Sequence, residues 1–230
     1  MSTLLELRTR ARQRADAVGN NFFTDSEIND YINTGLGELH DLLVMKFEDY
    51  YISSVSFSLT SGTGEYSFNS IGLDDFYKVI GVDASYGNDT VRVKRFSFPD
   101  RNKYAYNDVL YNNRGYAAYE YSIRGDNVVF IPTPNSTDSI TIHYVPSFQK
   151  LSSDSDSVSS SIALNWEEYA VIVAAMKMLQ KEETSTSPLE RELNRITVRI
   201  ENAASNRDAA EPFGITDETT GILPASRWSY

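Results

Sequence analysis

TDSEINDYINTGLGELHDLLVMKFEDYYISSVSFSL, residues 24–59, changes its hydrophobic period part-way along, and that change decides the fold. Up to Phe47 the apolar residues Ile28, Tyr31, Ile32, Leu36, Leu39, Leu42, Leu43 and Phe47 recur at steps of three and four, the spacing of one face of an α-helix. Asp25, Asp30, Glu38 and Asp41 lie mainly off that stripe. Thr24 is a natural N-cap, and Glu27 three positions on completes a capping box, so a helix is predicted from about Asp25 to about Phe47. Beyond it Val55, Phe57 and Leu59 alternate with Ser54, Ser56 and Ser58, the pattern of a half-buried strand.

Working outward toward the N-terminus, Leu4, Leu7, Ala11, Ala15 and Val18 predict a helix over residues 3–18, stopped by Gly19-Asn20-Asn21. Toward the C-terminus, Ser61-Gly62-Thr63-Gly64 is a turn, and Glu65 to Phe68 is expected to return as the partner of the strand at 54–59. Further strands are expected at Phe76–Val82, Val91–Phe98 and Ser139–Val145, with a hairpin of Tyr121–Arg124 and Val128–Ile131 about Gly125-Asp126. LSSDSDSVSSS, residues 151–161, reads as a polar linker with no capacity to pack. Asn165, with Glu168 at the matching position, caps a third helix whose body, Tyr169 to Leu179, is apolar on most faces and therefore central to a bundle. A fourth helix opens at Pro188 and buries Leu189, Leu193, Ile196, Ile200 and Ala204.

The fold class is therefore α+β, a helical bundle of N- and C-terminal helices with an inserted antiparallel β domain and an extended C-terminal tail. The expected boundaries are 1–50 for the N-terminal helices, 51–150 for the β domain, 151–164 for the linker, 165–208 for the C-terminal helices and 209–230 for the tail.

The chain carries a formal charge of −11 over 230 residues, and residues 21–60 hold seven acids against one base. A protein that grips nucleic acid shows the opposite balance, and only the arginines at Arg8, Arg10, Arg12 and Arg14 begin to offer a basic face. With no cysteine, disulfides, thiol catalysis and cysteine-based zinc sites are excluded. No apolar run approaches the roughly 18 residues of a membrane span, and no apolar core of a secretory signal follows Met1. Glu6 and Asp16 argue against a transit peptide.

No catalytic, cofactor or metal constellation is legible. His40 and His143 each lack a second histidine at ligand spacing, and Gly62-Thr63-Gly64 leads into a strand where a phosphate loop needs a helix. Acidic pairs such as Asp74-Asp75 and Glu167-Glu168 are expected by chance in a chain with 32 acids. Arg124-Gly125-Asp126 spells an adhesion tripeptide, and a hairpin turn explains it better. Tyr104, Tyr106, Tyr111, Tyr116, Tyr119 and Tyr121 could stack bases beside nearby arginines, but tyrosine is equally at home in strands and interfaces. Arg191, Arg195 and Arg199 form one ridge at steps of four. It is either a solvated face, with Glu192 paired to Arg195, or a ridge that meets an acidic face of a neighbouring subunit such as the helix at 25–47.

Taken in order, the segments resemble the head-to-tail adaptor (connector) proteins of tailed bacteriophages. The likeness begins at LRTRARQRADAVGNNFFTDSEINDYINTGLGELHDLL and continues through SFSLTSGTGEYSFN and DDFYKVIGV. It resumes at YSIRGDNVVFIPTPNSTDSITIHYVPS, and a helix pair and tail follow. After Phe68 such proteins usually carry a proline where this chain has Asn-Ser-Ile-Gly. The resemblance implies a non-enzymatic virion protein, made in the host bacterial cytoplasm, that needs no cofactor and touches no membrane. It implies a closed ring, usually of twelve copies, between the portal protein and the tail or nozzle, with DNA passing through unbound. It also implies a C-terminal tail reaching into portal clefts, and Ile222, Leu223, Pro224, Trp228 and Tyr230 are apolar anchors suited to that role. The competing classes are another tail component (a nozzle or tail-completion protein), a receptor-binding module, a nucleic-acid-binding regulator and an enzyme.

Overall fold

The computed structural model describes residues 2–19, 21–47, 50–102, 119–158 and 166–205. Helix α1 spans Leu4–Arg14 and α2 spans Asp25–Lys46. Eight strands follow: β1 (Ser53–Ser58), β2 (Glu65–Ser67), β3 (Phe76–Tyr86), β4 (Asp89–Arg92), β5 (Lys94–Arg95), β6 (Glu120–Arg124), β7 (Asn127–Ile131) and β8 (Ser139–Pro146). Helices α3 (Glu168–Lys181) and α4 (Ser187–Ser205), with short 3-10 helices at Asn69–Ile71 and Phe98–Asn102, complete the described elements.

The reciprocal capping box sits on α1. The Glu6 amide donates to Thr3 Oγ1 at 3.3 Å, and the Thr3 amide donates to the Glu6 carboxylate at 3.1 Å. At α2 the Glu27 amide donates to Thr24 Oγ1 as expected, while the Glu27 carboxylate accepts from Lys181 Nζ at 2.7 Å and from Tyr31 Oη at 2.8 Å. Helix α1 ends four residues short of Val18. Asp16 turns left-handed at φ +53°, the Ala17 amide reaches back to the Arg12 carbonyl, and Val18 is left exposed. Helix α3 ends the same way, with Glu183 at φ +55° and the Thr184 amide on the Leu179 carbonyl.

Leu4, Leu7 and Ala11 of α1, Ile28, Ile32 and Leu36 of α2, and Ala170, Val171 and Ala174 of α3 form one buried core. Helix α2 lies so close on α3 that a Cβ on Gly35 would stand 2.7 Å from Ala170 Cα. Helix α3 begins at Glu168, with Glu167 at the cap position and no side-chain cap bond; Asn165, expected from the sequence to cap it, lies outside the described residues. The carboxylates of Glu167 and Glu168 are committed instead to arginines of α1.

The strands form two four-stranded sheets, ordered β1-β8-β3-β4 and β2-β7-β6-β5. All pairings are antiparallel except β5 with β6. Val82, Ala84, Ile140 and Ile142 of the first sheet and Tyr66, Tyr121, Val128 and Phe130 of the second share one core, a two-layer sandwich. The expected pairing of β1 with the segment at 65–68 is therefore wrong: β1 pairs with β8 and β2 with β7. Between β1 and β2 the loop crosses from one sheet to the other, and Tyr66 Oη braces it, accepting from the Thr60 amide at 2.7 Å and donating to the Thr63 carbonyl at 3.1 Å. Residues 91–98 are likewise split, because the chain changes sheet at Val93, whose amide bonds the Val82 carbonyl while its side chain is buried between the layers.

The polar segment after β8 packs, contrary to the reading of it as an inert linker. Leu151 lies against the helical core and Val158 is buried in it. Asn33 holds both backbone groups of Leu151, donating to its carbonyl at 2.9 Å and accepting from its amide at 2.8 Å. The Leu4 and Leu5 amides, left without helical partners in the first turn of α1, donate to the Asp156 and Asp154 carbonyls. Two backbone carbonyls of this segment thus accept for the start of α1, and residues 151–158 act as a strap from the sandwich to α1.

Candidate interaction surfaces

Four arginines of α1 look from sequence like the start of a basic face, yet all four are turned onto carboxylates of the same chain. Arg8 is buried and grips Asp154 with two bonds of 2.8 and 3.1 Å, with a third to Asn29 Oδ1. Arg10 bonds Glu167 at 3.2 Å and also Glu168. Arg12 bonds Asp25 and the Phe23 carbonyl at 2.9 and 3.0 Å. Arg14 bridges Glu168 at 2.6 Å and Glu192 at 3.1 Å. Burial pushes the Glu167 carboxyl up, but bonds from the Ser2 hydroxyl and amide and from Arg10 outweigh it and hold the group below its ordinary value. A carboxylate in that state is charged at neutral pH and neutralises its arginine, leaving little of the face that phosphates need.

The arginines of α4 are placed differently. Arg191, Arg195 and Arg199 are exposed on its outer face, with Arg195 side-chain exposure at 80%. Glu192 stands 4.0 Å from Arg195 and takes Arg14 instead, so the pairing expected from sequence is the weaker one. No carboxylate lies within ion-pair distance of Arg191 or Arg199 among the described residues. Beside the ridge is a groove of about 560 Å³ with Trp166, Ile196 and Ile200 on its floor. The outward face of α2 has the opposite character, with Asp30, Thr34, Glu38 and Asp41 exposed and Met45 81% exposed at its end.

Where the helices meet the sandwich, His40 is buried with Nε2 3.1 Å from the Pro146 carbonyl, its ring stacked on Tyr51 at 4.9 Å. Tyr77 Oη donates to Asp41 at 2.9 Å across the same junction. A cavity of about 280 Å³ lies there, lined by Leu36, His40, Asp75, Phe148 and Val158 among others. His143 pairs with Asp83 at 3.2 Å on the β8–β3 ladder. No cluster of three or more His, Cys, Asp or Glu that could hold a metal occurs among the described residues.

Arg124-Gly125-Asp126 is the β6–β7 turn, with Gly125 at φ +55°. The Arg124 guanidinium lies over the rings of Phe96 and Phe98 at 5.3 and 5.2 Å, which turns it away from adhesive display. Tyr119 and Tyr121 are buried in the sandwich, with Tyr119 Oη 3.0 Å from Asp138; Tyr104, Tyr106, Tyr111 and Tyr116 lie outside the described residues. So do Ile222, Leu223, Pro224, Trp228 and Tyr230. Sequence reasoning missed the internal role of Arg8, Asn33 and the Glu167-Glu168 pair. The Thr3-x-x-Glu6 box was visible and would have shown where α1 starts.

The bundle is strapped to a β-sandwich, the arginines of α1 are paired within the chain, and the outer faces of α2 and α4 are charged and of opposite sign. The chain belongs to the SU10 adaptor protein family, whose model matches residues 2–212, and it is a phage adaptor protein. Comparison with curated proteins gives no match. Among the described residues no helix is long and apolar enough to cross a membrane.

Proposed function

We propose that this chain is the head-to-tail adaptor of a tailed bacteriophage, a closed ring of copies seated between the portal protein and the tail or nozzle, through which DNA passes without being gripped. Family membership over residues 2–212 is the observation that carries the reading. The internal pairing of the α1 arginines supports it, because a channel wall that DNA slides past must not offer unpaired cations in bulk. The role is structural, not enzymatic. Residues 1–50 and 165–208 form the part that packs on neighbours and the portal, and residues 51–150 face the tail.

Two contact sets follow. Arg191, Arg195 and Arg199 present a partner-binding ridge. In the tail, Ile222, Leu223, Pro224, Trp228 and Tyr230 anchor in a groove of the portal or of an adjacent copy, with affinity resting on a few well-buried groups. Mass measurement of the purified chain with and without portal-bearing heads tests the ring: assembly on heads is expected, and a free trimer or hexamer would point to a different tail component. Deletion of residues 220–230 tests the anchor. The shortened chain should keep its unfolding midpoint and fail to join heads; joining as well as the full chain does would remove the tail from the contact.

A further inference from the structure

Resting on the adaptor reading, we infer that the next copy in the assembly is recognised by α2 of one subunit lying along α4 of another, the acid stripe of Asp30, Glu38 and Asp41 facing the ridge of Arg191, Arg195 and Arg199 with Glu38 on Arg195 and Asp41 on Arg199. The chemistry is a matched pair of helix faces. On α2 the acids and Thr34 are exposed on the face opposite the buried Ile32, Leu36, Leu39 and Leu43. On α4 the arginines are exposed opposite the buried Ile200 and the half-buried Leu193 and Ile196. At 1.5 Å of rise per residue the two runs cover about 16 and about 12 Å, and the step from Glu38 to Asp41, about 4.5 Å, lies close to the step of about 6 Å from Arg195 to Arg199, so two contacts fall in one register and Asp30 lies beyond Arg191.

Height makes the match useful. Lys181 at the end of α3 bonds Glu27 at the start of α2, and Lys46 at the end of α2 bonds Glu201 near the end of α4 at 3.2 Å. Helices α2 and α4 therefore run in the same direction, and counted back from the Lys46–Glu201 contact at 1.5 Å per residue Glu38 and Asp41 stand about 12 and about 8 Å along the bundle and Arg195 and Arg199 about 9 and about 3 Å, so these two pairs are within about 5 Å of level. A copy rotated about an axis along the bundle brings its acid stripe to the basic ridge with little shift along that axis. A contact between two different faces that repeats by pure rotation closes a ring, whereas one that adds a rise builds an open filament.

An alternative partner for the ridge would be nucleic-acid phosphate, but in the groove that Arg10, Arg195 and Arg199 line a phosphate would also meet the carboxylates of Glu168 and Glu192, to which Arg10 and Arg14 are already paired. Met45 and Val198, 81% and 56% exposed, stand beside the acids and the arginines respectively and add apolar area that phosphate would not use. A chain of net charge −11 also offers acidic partners on every copy of itself.

The test is a charge swap in the full chain. Variant one carries Arg191→Glu, Arg195→Glu and Arg199→Glu; variant two carries Asp30→Lys, Glu38→Lys and Asp41→Lys. Each alone should lose at least tenfold in closed assemblies on heads that bear portal but lack adaptor, read by the mass of the released connector. An equimolar mixture should recover assembly with strict alternation of the two masses, which also shows that both variants fold. If each variant assembles like the unaltered chain, the ridge–stripe contact is overturned while the adaptor ring stands. If the unaltered chain forms no closed assembly on heads, both readings fall. A second measurement covers a folding failure of either variant. The chain has no cysteine, so a Glu38→Cys, Arg195→Cys double variant can join only at those positions. Oxidation in assembled particles should give a ladder of trimers and longer; bands no larger than dimer overturn the contact.

Discussion

Asn33 shows what a single polar side chain does inside this bundle. It is buried on α2, and its amide satisfies both the carbonyl and the amide of Leu151. Asn33→Ala leaves two backbone groups of the strap without partners in a place water reaches poorly, which should cost about 1–3 kcal/mol; a denaturant midpoint that does not move would mean that water replaces the amide. Gly35, two positions on, is a matter of space. Alanine is the better helix former by about 1 kcal/mol, but its Cβ would stand 2.7 Å from Ala170 Cα. Backbone cannot yield as a side-chain end can, and overpacking of this kind costs about 1–3 kcal/mol. Gly35→Ala should therefore lower the unfolding midpoint, and a rise would show that α2 and α3 separate easily. Neither role can be read from the sequence, where Asn33-Thr34-Gly35 looks like a weak spot in a helix, because both depend on what lies opposite.

At the scale of elements, the strap and the α1–α3 contact are held by carboxylates kept below their ordinary values. Asp156 is lowered by amide bonds from Ser153 and Ser152, and Glu27 by bonds from Lys181 and Tyr31. Glu167 is lowered as well, its bonds outweighing burial. A depressed carboxylate contributes stability that is whole above its unfolded value, 3.8 for Asp and 4.5 for Glu, and is lost as pH falls through the lower folded one. The helical signal should thus weaken below about pH 4.5, and Asp156→Asn with Glu167→Gln should flatten that acid limb in circular dichroism; an unchanged limb would place the acid-sensitive groups elsewhere. Helix α2 was legible because its stripe, cap and length are all local. The strap was not, because serine and aspartate beside one another announce polarity and say nothing of the α1 amides that need acceptors. Pairing of β1 with β8 escaped for a related reason: alternation at Val55, Phe57 and Leu59 gives a face, not a partner, and the partner β8 lies about 80 residues on in the chain.

For the whole molecule, two electrostatic effects of different range act on assembly. Each copy carries −11, so copies brought together in the proposed ring repel at long range; a ring of twelve would carry twelve times −11, or −132. The ridge and stripe attract only at contact. The long-range repulsion is felt across about 30 Å at 0.01 M salt and across about 8 Å at 0.15 M. Raising salt from the lowest concentrations therefore removes repulsion first and leaves side-chain contacts largely intact. Near 1 M, with screening down to about 3 Å, the contact pairs weaken in turn. Joining of this chain to portal-bearing heads should pass through a maximum at intermediate salt. The variant with α4 reversed, lacking the attractive contact, should show no such maximum. A monotonic rise for the unaltered chain would assign the contact to apolar surface such as Met45 and Val198, and a monotonic fall would mean that net charge does not limit the ring.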